Sequence, residues 1–124
     1  KQICQLLRLV RLNPGDKKKA RHFSMGMKQR LGIAMALLGS PDLLILDDLG
    51  SEMTTSFVQS ALYQIVNTRQ MERRSTIIST NLTPGELARR YTPQIASRIE
   101  GEYTLLPFAG EDIRKLKKER ARGN

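Results

Sequence analysis

Ile3, Leu6, Leu7 and Val10 recur at the three- and four-residue spacing of one helical face, which predicts a helix over the first dozen residues. Asn13-Pro14-Gly15-Asp16 closes it in a turn. Lys17, Lys18, Lys19 and Arg21 read as a solvated basic stretch, and Ser24 is a good N-cap for a second helix running through Leu38. Gly39 supplies a left-handed stop for that helix, with Pro41 just beyond. Leu43-Leu44-Ile45-Leu46 is apolar without alternation, the pattern of a strand covered on both faces of a parallel sheet. After a Gly50-Ser51 turn, Phe57, Val58, Ala61, Leu62, Ile65 and Val66 form an amphipathic stripe, giving a helix from about Thr55 to Arg69.

Thr76-Ile77-Ile78-Ser79 reads as a second strand. Thr83-Pro84-Gly85-Glu86 combines a capping threonine, proline at the first helical position and glutamate at the third, which opens a helix towards Arg90. A short turn of helix is expected over Pro93 to Ile99, a third strand over Tyr103 to Leu106, and a basic helix over Asp112 to Arg122. Strands alternating with helices predict an α/β fold: a truncated core of about three parallel strands with flanking helices.

Composition adds charge to this picture. The 124 residues carry 21 Lys and Arg against 12 Asp and Glu, a formal +9, which favours polyanions such as nucleotide, nucleic acid or an acidic membrane surface. Cys4 is the only cysteine, which leaves no disulfide framework or cysteine-rich metal site; its apolar helical setting predicts a small buried thiol. The apolar runs are too short to span a bilayer and no signal-peptide pattern is present, so a cytoplasmic protein is expected.

Chemistry gathers where the first strand ends, in Asp47-Asp48. Phosphoryl transfer from ATP needs a metal bridging phosphate oxygens and a carboxylate that orients the attacking water. In that reading Asp47 holds Mg²⁺ and Asp48 polarises the water, a Walker B pattern; the plainer alternative is a core strand followed by an acidic turn.

Upstream, Phe23-Ser24-Met25-Gly26-Met27-Lys28-Gln29-Arg30-Leu31 resembles the signature motif of ABC ATPases, and Ile33 to Pro41 matches that family's spacing into Walker B. The resemblance implies that Ser24, Gly26 and Gln29 bind a nucleotide phosphate held by a partner subunit, at the positive end of a helix. Downstream the pattern departs from that family: Asp48-Leu49-Gly50 stands where Glu-Pro is expected, and His22, the only histidine, precedes the signature.

From about Pro41 to Lys118 the chain resembles AAA+ helicase loaders of the DnaC/IstB-like group. The resemblance rests on Asp47 to Glu52 as Walker B, Ser79-Thr80-Asn81-Leu82 as sensor 1, and Ser97-Arg98-Ile99 as the arginine-finger segment. It implies that Asn81 contacts the attacking water or γ-phosphate, and that Arg98 neutralises charge on a neighbouring subunit's nucleotide. Together the resemblances divide the chain into a helical segment over 1–40 and an ATPase-core part over 41–124, two P-loop fragments joined at the Walker B strand. Recombination, engineering and misassembly are the three origins open to such a junction.

No Gly-x-x-x-x-Gly-Lys-Ser/Thr occurs in the 124 residues. The β-phosphate therefore has no ring of backbone N–H groups in this chain, and weak or absent binding of ATP and Mg²⁺ is expected, with no hydrolysis by the chain alone. Three functions stand open. A helicase loader implies a replicative helicase partner and single-stranded DNA, with Arg69, Arg73, Arg74, Arg89 and Arg90 available to phosphates. An ABC transporter ATP-binding subunit implies a membrane permease. A non-enzymatic basic interaction fragment implies neither. Exposed sheet edges also point to a homo-oligomer.

Overall fold

The computed structural model describes residues 1–52 and 54–123. Its described elements, in chain order, are α1 (Gln2–Leu9), α2 (Met25–Leu37), β1 (Leu43–Leu49), α3 (Ser56–Met71), β2 (Ser75–Thr80), α4 (Pro84–Arg90), α5 (Pro93–Glu102) and α6 (Ile113–Arg122), with a single 3₁₀ turn at Ala20–His22. The fold is α/β, with flanking helices around a two-stranded parallel sheet.

Local capping explains most of the helix boundaries. The Ser24 hydroxyl accepts from Met27 N at 3.2 Å and starts α2, and Gly39, at φ +79°, follows its end. Thr55 caps α3 in the same way through Val58 N. At α4 the capping box is complete: Thr83 Oγ1 accepts from Glu86 N, and the Glu86 carboxylate accepts from Thr83 N at 2.7 Å. Thr92 and Pro93 begin α5, and Asp112 caps α6 by accepting from Arg114 N.

Parallel pairing runs Leu43↔Ser75, Leu44↔Thr76, Ile45↔Ile77 and Leu46↔Ile78, then breaks before Leu49↔Thr80. The sheet departs from expectation in two ways. Tyr103 to Leu106 is not a strand; α5 runs on to Glu102 and the chain beyond it is irregular, because a strand exists only where a neighbour accepts its ladder and no described segment does so. Nor is β1 covered on both faces. Leu44 and Leu46 turn towards the helices, whereas Leu43 and Ile45 are 49% and 58% exposed, as is Ile77 at 52%. The helices lie over one face of the sheet, so an apolar run that suited two-sided burial shows its alternate residues to solvent.

Two clusters form the core, and α3 joins them. Leu49, Leu62, Val66, Leu87, Tyr91, Ile95, Ala96 and Ile99 pack between β1, α3, α4 and α5. Val10, Leu12 and Ala34 pack with Phe57 and Ala61, and Val58 touches both clusters. The Phe57 ring also lies under two guanidinium groups, with Arg30 4.6 Å and Arg11 5.5 Å from its centroid. Cys4, expected to be buried, is exposed: it lies outside the strip of Leu6, Leu7 and Val10 that α1 turns towards the cluster.

Candidate functional site at the carboxyl ends of the parallel strands

In an open α/β sheet, ligands gather outside the carboxyl ends of the strands, where backbone groups and loop side chains converge. Asp47 and Asp48 occupy that end of β1, both exposed, and Ser79 and Asn81 occupy the matching end of β2. The Ser79 hydroxyl donates to Asp47 Oδ1 at 2.5 Å and accepts from Asp48 N at 2.8 Å. One serine thus ties the two acids to the neighbouring strand.

The break in the ladder keeps both carboxylates outside. With strict alternation Asp48 would follow Leu44 and Leu46 into the core. Instead Asp48 adopts the left-handed conformation, φ 54°, which aspartate tolerates better than most residues, and the extra residue lets Leu49 enter the core in its place. Thr80 Oγ1 donates to Leu49 O at 2.6 Å and accepts from Leu82 N at 3.1 Å, which fixes the far side of the bulge. The next turn depends on Gly50 at φ +107°, where an added Cβ would stand 2.6 Å from Leu82 Cδ1.

Glu52 anchors the loop that follows. Its carboxylate accepts from Gly50 N at 2.9 Å and from the Tyr91 hydroxyl, and its carbonyl oxygen accepts from the Arg90 guanidinium. Partial burial raises the Glu52 pKa, but the bonds from Tyr91 and the backbone, with the Arg90 charge, outweigh it and hold the carboxyl below its ordinary value. Burial and the adjacent carboxylate push the Tyr91 hydroxyl the other way, well above its ordinary range.

Among the described residues, the remaining sequence candidates make no side-chain hydrogen bond to Asp47, Asp48 or Ser79. Asn81 is exposed just beyond β2, and among the described residues no hydrogen bond joins it to either acid. Arg98, on α5, lies over the Tyr63 ring at 5.4 Å and donates to Tyr63 OH and Gln70 Oε1, both at 3.5 Å, so α3 holds it away from the strand ends. Ser24, Gly26 and Gln29 are exposed at the start of α2, and a Cβ at Gly26 would meet nothing within 4 Å. Of the five arginines offered to phosphates, Arg69 is 4% exposed and bonded to backbone, Arg74 pairs with Asp42, and Arg90 holds Glu52 O. Arg73 and Arg89 are exposed.

Sequence reasoning placed Asn81 in the leading role on β2 and did not single out Ser79. The signal for Ser79 is the register: once Ile45 pairs with Ile77, two residues on, Asp47 stands beside Ser79. Glu52 and Tyr91 are 39 residues apart, and no local pattern links them.

The dyad and its serine sit where the sequence pattern led from an N-terminal helical segment into β1. Residues 1–50 match the family model for ABC transporter. Over 48 residues the chain is 58% identical to an uncharacterized ABC transporter ATP-binding protein, YcbN of Bacillus subtilis, covering 39% of this chain and 16% of the relative. The lantibiotic transport ATP-binding protein SrtF of Streptococcus pyogenes is 40% identical over 80 residues, 64% of this chain and 34% of its own length. The dipeptide transport ATP-binding protein DppD of B. subtilis is 35% identical over 106 residues, 83% of this chain and 30% of its own length. The chain therefore spans about a third or less of each of these relatives. No solved structure matches it significantly.

These matches support an ABC-type P-loop ATPase segment and lend nothing to the DnaC/IstB-like resemblance. The DppD match, at 83% of the chain, also extends well past residue 50. Among the described residues, no helix is long and apolar enough to cross a membrane.

Proposed function

We propose that the chain is part of the ATP-binding protein of an ABC transporter, with Asp47 and Asp48 as its metal-side acids. The observation that carries this reading is the acid pair at the carboxyl end of β1, tied through Ser79 to β2, in a segment whose upstream residues match the ABC transporter model. The donor set supports a magnesium ion shared with phosphate. Two carboxylates and a hydroxyl are too few for an all-protein cage, and no group of three or more His, Cys, Asp or Glu stands ready for a metal among the described residues. Magnesium sites on phosphate substrates need few protein ligands, so one or two carboxylates would suffice here. Bound there, the ion would neutralise charge on the transferred phosphoryl group.

In this reading Asp47 would hold the ion, Ser79 orients the Asp47 carboxylate, and Asp48 would polarise the attacking water. Asn81 lies one residue beyond β2, at the same carboxyl edge of the sheet, and is assigned to the same nucleotide. Ser24, Gly26 and Gln29 offer the exposed start of α2, whose backbone N–H groups suit an anion held by a second subunit. The division of the chain at residues 40 and 41 belongs to this proposal as well. The two parts share a core in that reading, since Phe57 and Ala61 of α3 pack with Val10, Leu12 and Ala34.

The phosphate loop is the part this chain lacks, so Mg-ATP binds the isolated chain weakly, with a dissociation constant in the range of about 1 mM or above. Isothermal titration checks this, and micromolar affinity would overturn it. Affinity capture from detergent-solubilised extract tests the transporter partner: a membrane permease is expected. Recovery of a replicative helicase, with salt-sensitive binding of single-stranded oligonucleotide, would instead select the helicase-loader reading and with it a role for Arg98 at a neighbouring subunit's nucleotide.

A further inference from the structure

Residues 104–123 take no part in the core or the acid site. Leu105, Leu106 and Phe108 are 55%, 71% and 93% exposed on the irregular segment after α5, and Ile113, the first residue of α6, is 66% exposed. None of the residues of α6 is buried. The helix carries Arg114, Lys115, Lys117, Lys118, Arg120 and Arg122 against one acid, Glu119. Glu111 and Asp112 precede it, and the Asp112 carboxylate accepts from Arg114 N as the helix cap.

We propose that residues 104–122 dock onto the surface of an anionic phospholipid bilayer. An apolar patch left in water and a block of cations beside it call for one surface that offers both a hydrocarbon boundary and negative charge, and anionic headgroups over acyl chains supply the two together. Nucleic acid would satisfy the cations but leaves Leu105, Leu106 and Ile113 unburied, and the segment offers Phe108 as its one exposed ring for base stacking. Neutralising α6 needs phosphate, and covering its neighbours needs apolar depth. The patch is distinct from Asp47, Asp48 and Ser79, so it acts whether or not the chain binds nucleotide.

The test uses the whole chain and vesicles of phosphatidylcholine, either alone or mixed equally with phosphatidylglycerol. Sedimentation should carry the protein down with the mixed vesicles at low salt and leave it in solution with phosphatidylcholine alone. Replacing Lys115, Lys117 and Lys118 with Gln should weaken the partition roughly a hundredfold, since each cation near such a surface contributes several-fold. Phe108→Ser should cost about tenfold with the charges intact. The chain has no tryptophan, so Phe108→Trp adds a single reporter at an exposed site; its emission should shift to the blue on the mixed vesicles and stay unchanged on the neutral ones. Equal binding to both vesicles, no binding to either, or an unshifted tryptophan on the mixed vesicles would overturn the proposal. So would lysine changes that abolish oligonucleotide binding and spare the vesicles.

Discussion

Among the described residues Arg69 is a buried cation with no ion-pair partner, and its removal is the sharpest test of how the sheet is held. It is 4% exposed, and its partners are all neutral oxygens: Nε donates to Thr76 Oγ1 at 2.9 Å, while Nη2 donates to Ser75 O at 2.7 Å and Asp42 O at 3.2 Å. One side chain at the end of α3 therefore clips the starts of both strands. Hydrogen bonds from a charged donor contribute about 1.5–3 kcal/mol apiece when one partner is deleted. The three are not additive, because Asp42 O keeps the bond it accepts from Ser75 N at 3.0 Å, and because losing a buried guanidinium also removes its desolvation cost. Arg69→Ala should thus cost about 3 kcal/mol net. Arg69→Lys keeps the charge but loses the forked geometry, at about 2 kcal/mol. With a urea m-value of about 1–3 kcal/mol/M, the alanine variant should unfold at a midpoint roughly 1–3 M lower, followed by far-UV circular dichroism. An unchanged midpoint would mean that the three bonds do not hold the strand starts, and the reasoning fails.

Phe57→Ala should cost about 3–5 kcal/mol, since the ring fills the second cluster and supports two guanidinium groups; denaturant melts check it, and a loss under about 1 kcal/mol would contradict the burial. Glu52 has a depressed carboxyl pKa in the folded chain, so its contribution is present above the unfolded carboxylate value and is lost as pH falls through the folded one. Thermal melts of Glu52→Gln should therefore show a flatter decline than the parent below about pH 4, and parallel curves would refute the assignment. Tyr91 has the opposite sign: its raised pKa adds stability below the unfolded tyrosine value that is lost as pH climbs through the folded one, and Tyr91→Phe should flatten the alkaline limb of the same melts. Ser79→Ala removes both ties to the acid pair and should cost about 1–3 kcal/mol, with amide exchange at Asp48 faster than in the parent.

Helix starts were legible because their causes are local. Ser24, Thr83 with Glu86, and Pro93 act within three residues of the helix they open, and the structure shows each of them doing so. The two strands were legible as apolar runs between turns, and β1 and β2 lie where the runs predicted. The third strand failed for a non-local reason: Tyr103 to Leu106 has suitable residues but no described neighbour to pair with. Cys4 failed because one short helical face had to be assigned before its packing partner was known. At the site, Asp47 and Asp48 could be picked out from residue type and position alone. The bulge at Asp48, the Ser79 tie and the Glu52–Tyr91 contact could not, because each depends on strand register or on residues brought together from distant segments.

The uneven covering of the sheet bears directly on how the acid pair is supported. Within the strands only Leu44 and Leu49 are buried, and β2 buries no side chain fully; every other buried residue lies on a helix or beside one. Leu49 follows Asp48 and sits in the cluster made by α3, α4 and α5, so those helices anchor the bulge from one side. The other side of the sheet shows Leu43, Ile45 and Ile77, and Asp47 continues that same face to the carboxyl edge. Covering these three side chains would remove apolar area from water at about 25 cal/mol for each Å². A partner element laid on that face would therefore gain free energy and would lie beside Asp47.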